Sequence, residues 1–333
     1  MLYCCSRAGA HWLSSAFTGQ KMKIFITGGT GFIGRSLCER LARDGHHMTV
    51  LTRSASRAKL TLPPQVTTIE GDPTVPGPWQ QSLMLHDAVI NLAGESILGL
   101  WTKGKKERFE RSRIDSTRNV VQAIGLADKK PALISASAIG FYGTHPHHQF
   151  TEKSASGSDY IASVCRKWEE QARVAEQFGS RVAIVRIGVV LHPTGGALKQ
   201  MLTPYRFGFG ARIGSGQQWM SWIALDDLTA IFSKIISQAN ARGVFNATAP
   251  QPATQATVHE TLSSALRRSN PLAIPAFVFK LLLGEASVLL TEGQYVVPAR
   301  VRELGHSFFF PNINVALAHM LTERPAYELN TSK

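Results

Sequence analysis

The chain has few cysteines, no uninterrupted apolar run long enough to span a membrane, and no unit repeated every 20–50 residues. The four cysteines, Cys4, Cys5, Cys38 and Cys165, form no Cys-x-x-Cys pair and no zinc-ligand spacing, and two fall inside helical patterns. Nothing in them supports a disulfide scaffold or a zinc module, so a reducing, cytoplasmic compartment is expected. Residues 272–290 are the most apolar stretch, but Pro275, Lys280, Gly284 and Glu285 interrupt it, which points to the helices of a lobe and not to a membrane partner. Acidic residues are scarce, 23 against 36 Lys and Arg, for a formal charge of +13. The basic residues are nevertheless scattered. Only "KGKKERFERSR" (103–113) concentrates them, and Glu107 and Glu110 interleave there as on a solvated helix face. No nucleic-acid partner is expected, and an anionic small ligand accounts for part of the charge. The cluster His145, His147 and His148 has no acidic or Cys residue at a ligand-like spacing, so no metal is expected. The first 21 residues hold no acid and one arginine, faintly like a targeting leader, but they lack a continuous apolar core. An upstream start codon or a disordered extension ahead of Met22 is the simpler expectation.

What is present is a chain of 333 residues, 44% hydrophobic, with enough apolar material for one large α/β domain or a domain with an appended lobe. Apolar runs at 24–26, 47–52, 66–72, 87–94, 132–138 and 181–191 alternate with helical patterns at 32–43, 103–126 and 159–178. Strands with Val and Ile on both faces, separated by helices, predict a parallel sheet covered on both sides. From about Leu191 the rhythm gives way to the glycine-rich loops "PTGGAL" and "FGFGARIGSGQQ", then a helix from Leu225. The expected division is therefore an extension over 1–21, a Rossmann-type doubly wound domain over 22–190, and a smaller C-terminal substrate lobe over 191–333. The helix near 225–238 is the piece of that lobe expected to pack back on the sheet.

The stretch "KIFITGGTGFIG" (23–34) puts its glycines between a buried strand and a helix. Gly29, Gly31 and Gly34 satisfy G-x-G-x-x-G, and Gly28 adds a fourth. Glycines at this spacing allow a tight turn, close approach of backbone to a pyrophosphate, and close packing of helix on strand; the helix N-terminus offers N–H groups to the anion. Residues 27–34 (Thr27, Gly28, Gly29, Thr30, Gly31, Phe32, Ile33 and Gly34) are accordingly the expected dinucleotide cradle. About twenty residues further on, an NAD-selective site carries an acidic residue for the ribose hydroxyls. This chain has "LTRSASR", with Arg53 and Arg57 where a 2′-phosphate would sit. NADP is expected as cofactor, with NAD less favoured; the alternative is that Arg53 caps a surface loop.

Taken with "NLAG" (91–94), "SASAIGFYG" (135–143) and "WIALDDL" (222–228), the glycine turn resembles the extended short-chain dehydrogenase/reductases. The stretches "NLAGESI", "VCRKWEE", "RIGVVLHPTGGAL" and "GSGQQWMSWIALDDL" are similar to an atypical subgroup, the bacterial epimerase-family proteins and their human relatives described as NADP-dependent oxidoreductases. The resemblance runs from Met22 to Leu321. It implies that Asp72 lies near the adenine, that Leu92, Ala93 and Gly94 line the cofactor, and that Arg186 and Gly188 stand beside the nicotinamide. Typical members use a Tyr with a Lys four residues later for proton transfer, while a Ser holds the substrate oxygen. Ser137 matches that Ser. The resemblance places Ile161 and Cys165 at the Tyr and Lys positions; sliding by one offers Tyr160 but substitutes Val164 for the Lys. Lys167 lies about 10.5 Å further along the helix axis than Tyr160.

The expected catalytic candidates are therefore Ser137, Tyr142 and Glu95. Tyr142 is either a hydroxyl at the pocket mouth or a packing residue, and Glu95 either a general acid/base or a loop carboxylate. Arg113 either orients an anionic substrate or packs on a neighbouring loop. Trp219, Trp222, Gly195 and Gly196 are either pocket walls or core, and Asp226 and Asp227 are expected to cap a helix. The expected function is an NADP-dependent oxidoreductase or epimerase acting on a small polar substrate. The alternative is a non-catalytic NADP-binding regulator or redox sensor. Relatives often pair through the helices corresponding to 103–126 and 159–178, so a homodimer is considered, although these faces are rich in charge here.

Overall fold

Strands that are apolar on both faces must be covered on both faces, and the computed structural model, which describes residues 20–269 and 271–322, shows how this chain does it. Seven strands form one sheet: β1 (Lys23–Thr27), β2 (His47–Thr52), β3 (Thr67–Glu70), β4 (Ala88–Asn91), β5 (Ala132–Ala138), β6 (Val182–Ile187) and β7 (Gly243–Ala247). Their order is β3-β2-β1-β4-β5-β6-β7 and every pairing is parallel. The order reverses between β1 and β4, and in such sheets ligands bind in the crevice at the carboxyl ends of the strands flanking that reversal.

Among the described residues, eight longer helices accompany these strands: α1 (Phe32–Arg43), α2 (Lys103–Leu126), α3 (Tyr160–Gln177), α4 (Gly196–Arg206), α5 (Leu225–Ser237), α6 (Gln255–Ala265), α7 (Ala276–Leu283) and α8 (Ile313–Thr322). One face of the sheet is covered by Leu37 and Leu41 of α1 with Leu228, Ile231, Phe232 and Ile235 of α5. The other is covered by Val120, Val121 and Ile124 of α2 with Ala172 and Ala175 of α3. Thr102 caps α2 by accepting from the N–H of Lys105, and Asp159 caps α3 by accepting from that of Ala162. The expected helix 159–178 thus begins one residue later, with its first residue acting as the cap.

A second core, built from Leu198, Leu202 and Tyr205 of α4, Val258 and Leu262 of α6, Leu317 and Met320 of α8, and Trp222 of the short strand 222–224, defines the smaller lobe. The chain beyond Leu191 is divided between the two cores: α5 and β7 return to the sheet, while α4, α6 and α8 build the lobe. Residues 272–274, expected as helix, form a short parallel ladder with 211–213. Residues 1–19 lie outside the described residues, and with them Cys4, Cys5 and most of the expected extension. No helix among the described residues is long and apolar enough to cross a membrane.

Candidate functional site

The glycine turn joins β1 to α1 at the reversal point, and its glycines are there for space. A Cβ on Gly34 would stand 2.3 Å from the carbonyl oxygen of Gly28 and 2.6 Å from the Cα of Gly29. Gly28 has a φ of +71°, and a Cβ there would meet the Leu92 carbonyl at 2.7 Å. These close approaches bring the turn down onto the Leu92–Ala93 segment, which continues from β4. The N-terminus of α1 has no side-chain cap and no acid in its first turn, so its backbone N–H groups are left for an anion. Gly31, the N-cap, is exposed. This cradle fits a pyrophosphate. Thr27 is placed differently from expectation: it is fully buried, its hydroxyl donates to Asn91 at 2.6 Å, and it supports the turn from below. The bonds continue from Asn91 to Thr117 and from Trp168 to the same hydroxyl, tying β1, β4, α2 and α3 together beneath the crevice.

Arg53 and Arg57 follow β2, and both are exposed. Arg53 makes no hydrogen bond or ion pair among the described residues, so the loop-capping alternative has no contact behind it, and its guanidinium is available. Asp72 accepts from the backbone and hydroxyl of Thr74, closing a turn after β3.

The largest difference from expectation concerns Ser137, Tyr142 and Arg186. The register of β5, β6 and β7 sets Ser137, Arg186 and Asn246 in one row near the carboxyl ends of the strands. Arg186 is 2% exposed and forks onto Glu169 of α3 through Nε at 2.7 Å and Nη2 at 2.8 Å. Its Nη1 donates to the Tyr142 hydroxyl, which in turn donates to Asn246 Oδ1 at 2.7 Å. Ser137 donates to the same Glu169 carboxylate at 2.8 Å. Both hydroxyls and the guanidinium are thus committed to one another in the interior. Arg186 also lies over the Phe141 ring, 3.3 Å from its centre. Burial raises the Tyr142 hydroxyl above its ordinary pKa against the lowering influence of Arg186. Arg186, expected beside the nicotinamide, is turned inward because burying its charge requires the Glu169 carboxylate.

At the positions matched to the proton-transfer pair, Ile161 packs on Gly140, where an added Cβ would come within 2.4 Å of it. Cys165 is 4% exposed, and burial pushes its thiol up to about 12. Tyr160 donates to the carbonyl of Lys106, 3.0 Å away on α2. Glu95 follows Gly94 at the crevice; its carboxylate is 35% exposed and only loosely paired with Arg108, at 3.4 Å. Beneath it, Arg113 donates to the Glu95 carbonyl at 3.0 Å and to the Phe109 carbonyl at 3.1 Å, with Phe109 stacked 3.7 Å from its guanidinium carbon. Burial pushes the Arg113 pKa down to about 10. Of its two expected roles, the structure shows the packing one: it is the floor under Gly94. Arg113→Met is expected to lower unfolding stability by about 1–3 kcal/mol through the lost charged hydrogen bonds, measurable by urea titration.

Gly195 and Gly196 pack on Phe32 of the glycine turn, with an added Cβ at Gly195 only 2.2 Å from that ring. Their smallness lets the loop after residue 192 close on the cradle. Gly188 crosses the Ser221 carbonyl, which an added Cβ would meet at 2.5 Å. Trp222 is fully buried core, and Trp219 lines a lobe cavity of about 250 Å³ with Thr254, Thr257 and Asn312. Asp227 is not a cap as expected: it is fully buried and accepts from the backbone N–H groups of Phe309 and Phe310. Glu169 and Asn246 were not singled out by chemistry in the sequence. The one signal for Glu169 is a carboxylate beside the apolar stripe Ala162, Cys165, Trp168, Ala172. Among the described residues, no group of three or more His, Cys, Asp and Glu could hold a metal.

Residues 24–247 match the model of the NAD dependent epimerase/dehydratase family, and residues 274–320 match a domain of unknown function, DUF1731. The chain is 40% identical over 312 residues to the chloroplastic epimerase family protein SDR39U1 homolog of Arabidopsis thaliana, covering 92% of this chain and 88% of that one. It is 36% identical to the epimerase family protein YfhF of Bacillus subtilis over 305 residues, 91% of this chain and 99% of the other. Its structure is similar to that of human epimerase family protein SDR39U1, isoform 2, crystallised with NADPH: TM-score 0.80 at 30% identity, covering 91% of this chain and all of that one.

Proposed function

The chain belongs to the NAD dependent epimerase/dehydratase family, and from that premise we propose that it is an NADP-dependent oxidoreductase or epimerase acting on a small polar molecule. The observation that carries this reading is the pairing of an uncapped, glycine-walled helix N-terminus with the unpartnered, exposed Arg53 at the end of β2. The similar human structure contains NADPH, which agrees with that pairing. The α1 N-terminus would hold the pyrophosphate, Arg53 and Arg57 the 2′-phosphate, and the 92–94 segment the face of the cofactor. NADP would supply hydride acceptance or donation at the substrate carbon. The chain must then place the substrate and move one proton. Ser137 and Tyr142 are positioning residues in this reading, because their hydroxyls are already bonded to Glu169 and Asn246. Glu95 is the proton-handling group, with a reachable carboxylate at the crevice and a backbone fixed by Ser112 and Arg113.

The alternative, a non-catalytic NADP-binding regulator, draws on Ile161 and Cys165, which are packed away where a proton-transfer pair would stand. Its thiol-sensing version finds no support in the described cysteines, since burial pushes both Cys38 and Cys165 up to about 12. Titration of both cofactors separates these readings from a purely structural turn. Arg53→Ala is expected to weaken NADPH binding about 10- to 100-fold, as for a lost charge-assisted bond, and to leave NADH binding nearly unchanged. An unaltered preference would remove the NADP assignment. Tight NADPH binding without turnover on a broad carbonyl and sugar panel would favour the regulator.

A further inference from the structure

Helix α7 has the sequence AFVFKLLL, and none of its residues is buried. A helix this apolar on all sides belongs in a core or against a partner, because each exposed large side chain forgoes about 1.5–3 kcal/mol of burial. Phe277 and Leu281, one turn apart, are 67% and 83% exposed, and Leu282 beside them is 63% exposed. Leu289 and Leu290, on the turn that packs against α7, add 41% and 38%. Leu272 is 45% exposed and pairs with Ala211, which brings in Phe207 and Phe209 at 73% and 69%.

With ~150–250 Å² for each fully exposed aromatic side chain, the three phenylalanines alone leave roughly 300–500 Å² in water, and the five exposed leucines bring the surface to roughly 700 Å² per molecule. That exceeds the ~300–600 Å² of the largest patch on a typical monomer and approaches the ~800 Å² that each partner contributes to a standard interface. We propose that α7, with the adjoining 272–274 ladder, is an isologous dimer interface that packs on its own image in a second copy of this chain. A two-fold contact doubles the area, to more than the ~1,000 Å² at which specific interfaces begin. A membrane surface is the less suited occupant. An interfacial helix carries its basic residues opposite its apolar face, whereas the one charge of α7, Lys280, is exposed on the same side as Phe277, three residues on. On the other route to a dimer, α2 exposes Arg108, Arg111 and Arg118, and α3 exposes Lys167.

The test is sedimentation velocity of the full chain at micromolar concentration, wild type beside Leu281→Glu and Phe277→Glu. The expected result is a wild type at twice the chain mass of 36.4 kDa and both variants at the single mass. Both sites are exposed within one chain, so far-ultraviolet dichroism should change little, while the melting midpoint falls with loss of the dimer; Leu281→Ser gives a milder second variant if either charge disturbs folding. A monomeric wild type, or a dimer untouched by all three changes, overturns the proposal. So does a wild type that is monomeric and floats with phosphatidylserine vesicles, which would assign the patch to lipid. NADPH binding is read separately and is expected to be unchanged in the variants.

Discussion

Glu169→Ala is expected to cost about 3–5 kcal/mol of unfolding stability, the loss found when one partner of a buried ion pair is removed. The carboxylate accepts from Ser137, from two nitrogens of Arg186 and, at 3.4 Å, from Arg173, and it is 3% exposed. Without it, the Arg186 guanidinium remains in the interior with Tyr142 as its remaining hydrogen-bond acceptor among the described contacts. Ser137→Ala removes one hydroxyl donor, and a cost of about 1 kcal/mol is expected. The double variant Glu169→Met with Arg186→Met is expected to recover most of the loss, because apolar replacement of a buried pair is often close to neutral. Urea denaturation of the wild type, Glu169→Met, Arg186→Met and the double variant measures this. Near-additive costs in the double variant would show that the two charges do not depend on each other.

That network also shows where sequence reading stops. The first six strands, the three long helices and the glycine turn were legible because each rests on local periodicity or on a backbone need that only glycine meets; β7 was missed. Helices α1 and α2 have the residue bounds expected from apolar spacing, and 103–126 was marked further by its charged outer face. The state of Ser137, Tyr142 and Arg186 depends on three strands lying in one register and on a helix side chain reaching across to them, and no single segment encodes that. The likeness to a family matched Ser137 to a serine of that family without revealing that its hydroxyl is bonded inward to Glu169. Asp227 is a similar case: a carboxylate in the first turn of a helix suggests a cap, but the partners are the N–H groups of Phe309 and Phe310, more than eighty residues away in sequence. The apolar run at 272–290 suggested helices of a lobe, but its first three residues pair as a strand and the exposure of α7 follows from tertiary placement alone.

Two glycines of the cradle should respond differently, and the contrast tests whether the turn is a ligand site or only a tight corner. Gly34→Ala forces a methyl to within 2.3 Å of one backbone atom and 2.6 Å of another, neither of which is a side chain that can swing aside. Either α1 lifts from β1 or the turn opens, at an expected cost of about 3 kcal/mol or more. Because the same displacement moves the α1 N–H groups away from the pyrophosphate position, NADPH affinity should fall about 100-fold or more. At Gly31 the nearest atom to an added methyl is the Gly28 carbonyl oxygen at 3.2 Å, and the residue is exposed. Its backbone is extended, with φ −73°, so alanine fits the conformation, and a stability change below about 1 kcal/mol is expected. The methyl would nevertheless occupy the space through which a phosphate approaches the helix, and NADPH binding should drop by at least tenfold. Calorimetric titration and thermal melts of both variants separate the two effects. If Gly31→Ala binds NADPH as tightly as the wild type, the glycines serve packing alone. Failure of the wild type itself to bind NADPH would instead leave the exposed Arg53 with no nucleotide to select.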